Sequence, residues 1–161
     1  MQRNKAKIFG WLPYFIMKQR NLSSLDNLEV YLGSARDSRG VLTFAEEMTD
    51  IPFPLKRIFW ITGIPVGSKR GGHAHMTCKE MVCCVNGSFR LVVDNGAERR
   101  SFFLDNPSYA VIIPDGVWCS LEDFGPETIV VVGASEPYST EGYVRDYDEF
   151  IKMYGIAGRQ G

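Results

Sequence analysis

The stretch RGGHAH, residues 70–75, contains both histidines of this 161-residue chain, His73 and His75. They are two positions apart and follow a pair of glycines. Because side chains in a β-strand alternate with a period of two, a strand here places both imidazoles on the same face. Two imidazoles on one face suit either a metal ion or proton transfer at two neighbouring atoms. The stretch therefore predicts a functional site built on a strand.

Short runs rich in Val, Ile, Phe and Tyr surround this strand at intervals of roughly ten residues, which is the pattern of an all-β domain. These runs are residues 57–64, 80–85, 89–94, 100–104, 109–114 and 128–135. The Asn-Gly pairs in NGS (86–88) and NGA (95–97) predict hairpin turns, and PDG (114–116) predicts another turn. One segment, residues 144–155, has apolar residues at helical spacing before a glycine. We therefore expect a β-sandwich or barrel with a short C-terminal helix.

Composition limits the classes of function that are open to the chain. The length is that of one domain, and the contents of 45% hydrophobic and 23% charged residues are ordinary for a soluble globular protein. The formal net charge of −1 gives no general attraction to nucleic acid or to an anionic membrane. We therefore expect neither as a partner, and an anionic ligand would need a local set of arginines.

The cysteines indicate a reducing compartment. There are four, with no CxxC pair and no dense disulfide pattern: Cys78, Cys83, Cys84 and Cys119. Two of them are adjacent within an apolar run, as expected of buried thiols in the cytosol. We therefore predict a cytoplasmic location.

The first residues carry positive charge and then an apolar run, which resembles a signal peptide. Pro13 interrupts that run, charged residues follow directly, and no small-residue cleavage site is present. No apolar run reaches the ~20 residues of a membrane span. We predict an N-terminal extension over residues 1–27, one domain over 28–155 and a C-terminal tail over 156–161.

The spacing around the histidines is specific. It is G-x5-H-x-H-x4-E-x6-G, formed by Gly67, His73, His75, Glu80 and Gly87. This resembles the first motif of the cupin superfamily, whose fold is a double-stranded β-helix or jelly roll. The second cupin motif runs in part P-x-G-x2-H, and PDGVWC (114–119) matches it except that Cys119 stands in place of the histidine.

Metal-binding cupins hold a divalent ion with these four positions. Neutral imidazoles and a carboxylate suit Fe, Mn, Zn or Ni. The corresponding set here, His73, His75, Glu80 and Cys119, is altered at one ligand. A metal site therefore stays open as one interpretation.

A second resemblance covers residues 30–152 and rests on segments that occur in a fixed order: DSRG (37–40), DIPFPLKRIFWI (50–61), RGGHAH (70–75), VNGSFRLVVDNG (85–96), LDNPS (104–108), IPDGVW (113–118) and YVRDYDEF (143–150). The chain resembles the nucleotide-sugar 3,4-ketoisomerases, which include the dTDP-4-keto-6-deoxyglucose isomerases. The resemblance implies a cupin-fold homodimer that uses no metal or other cofactor, with His73 and His75 as the catalytic positions.

The implied reaction fits histidine chemistry. Converting a 4-keto sugar to a 3-keto sugar moves one proton from C3 to C4 and another between the two oxygens. The C3 proton is next to a ketone, so its removal gives an enediol-type intermediate, and a base with a pKa near 7 is required. Histidine meets that requirement. The sequence does not decide which histidine takes the C3 proton.

Two arginines are candidates for binding the diphosphate of a nucleotide sugar, because the guanidinium fork matches phosphate oxygens. They are Arg39 in DSRG and Arg70 in RGGHAH. A structural salt bridge is the alternative for each. The segment YVRDYDEF is expected to be a structural latch in which Arg145 and Asp146 can pair.

Three further residues are candidates for binding the sugar. Glu80 is expected to be a polar pocket residue, with metal binding as the alternative. Trp60 stands where relatives often have tyrosine; its N–H is a donor, and core packing is the alternative. Cys119 can donate weakly or act as a base if its pKa is lowered, and a buried inert thiol is the alternative.

Two other functions stay open. The chain could be a metal-dependent cupin enzyme, which the metal content of the purified protein would reveal. It could also be a non-catalytic module that binds a sugar nucleotide, since the residue at position 119 differs from the motif. The C4 epimer that is formed and the preferred nucleotide are not determined by the sequence.

Overall fold

The structure is a computed structural model that describes residues 24–155. In chain order its elements are β1 (Glu29–Tyr31), β2 (Gly33–Asp37), β3 (Gly40–Phe44), β4 (Arg57–Ile61), β5 (Arg70–His75), β6 (Glu80–Asn86), β7 (Phe89–Asp94), β8 (Arg99–Leu104), β9 (Tyr109–Ile113), β10 (Trp118–Glu122), β11 (Ile129–Ala134), β12 (Tyr143–Val144) and α1 (Tyr147–Tyr154).

Ten of these strands form two five-stranded antiparallel sheets. The first sheet has the order β1-β9-β6-β11-β4, and the second has the order β12-β5-β10-β7-β8. One cluster of buried apolar side chains draws on both sheets, so the core lies between them. The predicted all-β jelly roll with a short C-terminal helix is confirmed.

Sequence alternation explains how the strands face this core. In β7, Phe89, Leu91 and Val93 are fully buried while the residues between them are partly exposed. In β6, which lies at the centre of the first sheet, the first five residues are buried on both faces. A strand that is covered on both faces has a continuous apolar run in its sequence, and residues 81–85 form such a run.

The turn predictions had different outcomes. NGA (95–97) joins β7 to β8, which pair with each other, so the predicted hairpin is confirmed. NGS (86–88) joins β6 to β7, which belong to different sheets, so the hairpin prediction there is wrong. Gly87 has a φ of 74°, as an Asn-Gly turn requires, but the chain crosses the core instead of returning beside itself.

Helix α1 covers the outer face of the second sheet. Asp146 is its N-cap and accepts a hydrogen bond from the Glu149 backbone N–H at 2.8 Å. The fully buried Phe150 packs against Trp118 of β10 and lies in a cluster with Ala74 of β5. The segment YVRDYDEF therefore packs α1 on the second sheet, as a structural latch would; Asp146 caps the helix, and Arg145, which could have paired with it, contacts the ring of Tyr143.

Strands β2 and β3 form a separate two-stranded hairpin. It exposes several apolar side chains: Val41, Leu42 and Phe44. A cavity of about 220 Å³ lies between this hairpin and the outer face of the first sheet, and its lining is mostly apolar.

The predicted N-terminal extension lies outside the described residues except for positions 24–27, and the predicted tail, residues 156–161, lies wholly outside them. Within the described part of the extension, Leu25 is fully buried in the core. No helix within residues 24–155 is long and apolar enough to cross a membrane.

Candidate active site

Strand β5 brings the two histidines together, as the sequence predicted. The imidazole centroids of His73 and His75 are 5.0 Å apart and the rings are nearly perpendicular. His73 is half-buried and His75 is buried, with 5% of its surface exposed. In the register of the second sheet, His73 lies opposite Cys119 of β10, and His75 lies opposite Tyr143 of β12. The pair is thus held between two neighbouring strands.

The paired glycines before the histidines have a local structural reason. Gly71 and Gly72 have φ angles of 74° and 70°, which residues with a side chain rarely adopt. The pairing of β5 with β10 shifts register between Cys119 and Ser120, next to these glycines. A Cβ on Gly71 would lie 2.8 Å from the Cys119 carbonyl oxygen. The glycines therefore permit the irregularity at which β5 and β10 approach closely.

Tyr143 forms one wall of the histidine pair. Its ring centroid is 4.9 Å from that of His73 and 4.4 Å from that of His75. The guanidinium carbon of Arg145 lies 4.4 Å from the centroid of the same ring. Arg145 thus stacks on Tyr143, a cation–π contact within the latch segment.

Glu80 and Arg57 lie close to His75. The Glu80 Oε1 atom is 3.1 Å from His75 Nε2 and 3.8 Å from a terminal guanidinium nitrogen of Arg57. The first contact becomes an ion pair if His75 is protonated, although no hydrogen bond forms there in the structure. All three side chains have less than a fifth of their surface exposed, so little water screens them.

Burial controls the charge of the accessible histidine. Desolvation lowers the pKa of His73, and the neighbouring His75 lowers it further, while Glu80 opposes both effects. At neutral pH the neutral imidazole, which can accept a proton, is therefore favoured at His73.

Cys119 lies in the wall of the site beside His73 with 2% of its surface exposed. Burial raises the pKa of this thiol well above its usual range, and the charge of Glu80 adds to the effect. The thiol is therefore protonated at neutral pH, so it is a weak donor and not a base.

The other predicted binding residues are exposed and are not enclosed with the histidines: Arg70, Arg39 and Trp60. Arg70 begins β5 and is exposed. Arg39 lies at the turn of the β2–β3 hairpin, where its Nε donates to Asp37 at 3.1 Å. Trp60 of β4 is 67% exposed, whereas Phe59 beside it packs on the core, so Trp60 points to the outer face of the first sheet.

The altered ligand set bears on the metal interpretation. Between residues 24 and 155 the structure contains no group of three or more His, Cys, Asp or Glu side chains that could together hold a metal ion. Cys119, which stands in place of the fourth ligand of the cupin motif, is buried.

Two residues of the site were missed by the sequence analysis. Arg57 is in phase with Phe59 and Ile61, which pack on the core, so the alternation of RIFWI indicated that it points inward. Tyr143 was assigned to the latch as a whole. In strand β12 it faces the histidines, whereas Val144 lies in the cluster beneath α1.

Comparisons with known proteins identify the family of the chain. A family described as "FdtA: WxcM-like, C-terminal" matches residues 24–155. A TDP-4-oxo-6-deoxy-α-D-glucose-3,4-oxoisomerase from Aneurinibacillus thermoaerophilus is 34% identical over 128 residues, which are 80% of this chain and 92% of that protein.

Solved structures give the same result. A 3,4-ketoisomerase from Helicobacter canadensis has a TM-score of 0.75 at 31% identity, covering 78% of this chain and 94% of that one. A variant of the 3,4-ketoisomerase QdtA from Thermoanaerobacterium thermosaccharolyticum, in complex with TDP-4-keto-6-deoxyglucose, has a TM-score of 0.76 at 31% identity, covering 78% and 91%.

A jelly roll whose inner wall carries an H-x-H pair is the arrangement of the cupin class. Within that class, the chain belongs to the FdtA/WxcM-like family, whose match spans every residue that the structure describes. The resemblance to the sugar 3,4-ketoisomerases inferred from the sequence motifs is confirmed.

Proposed function

We propose that this protein is a sugar 3,4-ketoisomerase that converts a TDP-linked 4-keto-6-deoxyhexose to the 3-keto sugar. The observation that carries the proposal is the pair of imidazoles, 5.0 Å apart on β5, in a chain of the FdtA/WxcM-like family. Relatives that are 31–34% identical are named as 3,4-ketoisomerases or 3,4-oxoisomerases, which supports the same reaction here. Such a reaction supplies a keto sugar for deoxysugar, and hence polysaccharide, biosynthesis.

The proton transfers balance without an oxidant or a cofactor. A base removes the C3 proton; the electrons of that bond form a C3–C4 double bond, and the C4 ketone oxygen takes up a proton and becomes an enediol hydroxyl. The C3 hydroxyl then loses its proton as the C3 ketone forms, and C4 takes up a proton. Each positioned transfer contributes roughly 10²–10⁴ in rate.

The two histidines differ in ways that favour different roles. His73 is half-exposed, and burial with its neighbour His75 lowers its pKa, so it is the imidazole suited to take the C3 proton. His75 is buried with its Nε2 3.1 Å from Glu80 Oε1, so it is suited to move protons at the oxygens. Cys119, a protonated thiol next to His73, packs against the sugar in this proposal.

Arg39 and Arg70 bind the diphosphate in this proposal, since both residues are exposed. Arg70 is on the same strand as the histidines. Arg39 lies on the hairpin, which a second copy of the chain can bring to a site. The proposed assembly is a homodimer, and the exposed Val41, Leu42 and Phe44 support it because they form an apolar surface at the hairpin.

The assembly is tested by sedimentation equilibrium at micromolar concentration. We expect a dimer for the natural chain and a shift toward monomer for Leu42→Glu, which introduces a charge on the exposed hairpin. A natural chain that is monomeric throughout contradicts this part of the proposal.

The four cysteines, all buried free thiols, support the further proposal of a cytoplasmic location.

The activity is tested with TDP-4-keto-6-deoxyglucose and NMR of the product. We expect a 3-keto sugar, with deuterium from heavy water at C4 when solvent exchanges with the base. The NMR couplings of the product define its C4 configuration. If the substrate returns unchanged but binds, the protein is a binding module; if it reacts only after a transition metal is added, the metal-dependent alternative is correct.

A further inference from the structure

Arg57 is a largely buried cation that lacks a full set of partners. Its side chain is 17% exposed, and its Nε is buried without a hydrogen-bond partner among the residues the structure describes. The nearest carboxylate oxygen, Glu80 Oε1, is 3.8 Å from a terminal nitrogen, which is too long for a hydrogen bond. A buried donor without an acceptor is destabilising, so its presence calls for a physical reason.

Neighbouring rings hold the guanidinium of Arg57 in place. Its central carbon is 5.0 Å from the ring centroid of Phe59 and 5.6 Å from that of Tyr138. A guanidinium that contacts aromatic rings through its planar face keeps its N–H donors at its edge. The guanidinium of Arg57 is thus held in place while its Nε donor has no acceptor among the described residues.

The location of this edge relates Arg57 to the histidine pair. The same Glu80 oxygen that lies 3.8 Å from Arg57 lies 3.1 Å from His75 Nε2. Strand β4 therefore places a permanent positive charge near His75, with the Glu80 carboxylate between the two groups. The proposed reaction uses the imidazole of His75. Arg57 projects from the first sheet, and the histidines project from the second, so the two groups approach from opposite walls.

We infer that Arg57 is a catalytic residue that donates hydrogen bonds to the C3 and C4 oxygens of the keto sugar and stabilises the negative charge that develops on them. This inference rests on the proposed ketoisomerase function. Removal of the C3 proton leaves an electron pair that moves onto the C4 oxygen, and a fixed donor there lowers the barrier. The unpartnered Nε is then satisfied by substrate.

The competing role for a buried arginine is binding of the substrate diphosphate. The two roles separate in a binding experiment with TDP, which has the diphosphate but no sugar. If Arg57 acts on the sugar oxygens, its loss lowers kcat and leaves the Kd of TDP nearly unchanged. If it acts on the diphosphate, the Kd of TDP rises.

The experiment compares Arg57→Gln, Arg57→Lys and the natural chain. For Arg57→Gln we expect kcat to fall by about 10²–10³, the usual effect of a lost oxyanion donor, with the Kd of TDP changed by less than about threefold. Exchange of the C3 proton in heavy water, followed by NMR, falls with kcat. Arg57→Lys keeps the charge without the planar fork and recovers part of the rate.

The matched control is Arg90→Gln, because Arg90 on β7 is partly exposed and bonds to Asp123 at 2.9 Å on the surface. It should keep the natural kcat. TDP binding also shows whether each variant is folded. If Arg57→Gln does not fold, the comparison is made with Arg57→Lys. The inference is overturned if kcat of both Arg57 variants stays within about threefold of the natural value, or if the Kd of TDP rises by the factor by which kcat falls. A natural chain that leaves the sugar unchanged contradicts the proposed function instead.

Discussion

Strand β5 and the β2–β3 hairpin both carry residues that the sequence assigned to one site, but their surroundings are opposite. The histidines of β5 are enclosed by β10 and β12 and contact Tyr143 and Glu80. The hairpin is a separate two-stranded sheet, and Arg39 at its turn contacts Asp37 of the same hairpin.

This difference separates chemistry from binding. Contacts with several neighbouring side chains fix the positions of the two imidazoles, as proton transfer to a defined atom requires. An arginine on an exposed hairpin has freedom to follow a flexible diphosphate, or to meet a site on another copy. We therefore expect changes at the histidines and glycines of β5 to act on kcat or on folding, and changes at Arg39 in the hairpin to act on substrate binding.

The largest effect is expected from the histidines themselves. His73→Asn and His75→Asn keep polarity and approximate size but remove the imidazole, and each should lower kcat by about 10² or more. KM should change far less, since the diphosphate is bound elsewhere. The rate of keto-sugar isomerisation, measured by NMR, tests this. Natural rates in both variants would refute the assignment of the pair.

A backbone change in β5 should affect folding. Gly71→Ala combines a φ of 74° with a Cβ that would meet the Cys119 carbonyl oxygen at 2.8 Å. The left-handed conformation alone costs about 1–2 kcal/mol of the free energy of unfolding, and the close contact adds to this. Gly72→Ala is the control, because its φ is similar but no atom lies within 4 Å of the added Cβ. Thermal unfolding should give a lower Tm for Gly71→Ala than for Gly72→Ala; equal values would contradict the account of the close approach.

In the hairpin, Arg39→Ala should raise KM by about tenfold, the effect of one lost charge-assisted hydrogen bond, with little change in kcat. Arg36→Ala is a matched control, because Arg36 is also exposed on the hairpin. Steady-state kinetics with the keto sugar distinguish the two. A fall in kcat without a change in KM for Arg39→Ala would place the hairpin in the chemistry and remove the contrast with β5.

The pH dependence should also follow β5. Because burial and His75 lower the pKa of His73, its neutral form persists below the ordinary histidine pKa of about 6.5. The pH at which kcat/KM decreases on the acidic side should therefore lie below about 6.5. The unfolded chain takes up this proton first as the pH falls, so folding stability decreases between about 6.5 and the lower folded pKa. An acidic limb above 6.5 would exclude His73 as the base.

The smallest effect is expected at Cys119. The buried thiol is protonated at neutral pH and lies beside His73 without a charge of its own. Cys119→Ser should change kcat by less than about threefold, while a buried hydroxyl lowers stability by ~1–3 kcal/mol. Kinetics and thermal unfolding of the variant measure both quantities. A large loss of kcat at an unchanged Tm would give Cys119 a part in proton transfer.

The strand pattern was predictable from the sequence where alternation and turn signals are local. The H-x-H spacing placed both imidazoles on one face of β5, and the structure agrees. The error at NGS (86–88) arose because Asn-Gly specifies a turn, and not which sheet receives the next strand. That choice depends on long-range packing of β6 and β7 on opposite sides of the core.

The same limit explains the residues that were missed. Arg57 precedes His73 by 16 positions, and Tyr143 follows His75 by 68 positions. Only the tertiary fold therefore brings them near the histidine pair. The outward direction of Trp60 follows from its being out of phase with Phe59, but the sequence does not state which face of β4 meets the core.

The contact between Tyr143 and both imidazoles has a consequence for synthesis of the protein. The histidines lie in the first half of the chain, whereas β12 and α1 are the last elements described. During translation the ribosome releases the H-x-H strand long before the tyrosine that packs against it. A nascent or truncated chain that stops before β12 carries both histidines but lacks the ring that packs against them on one side.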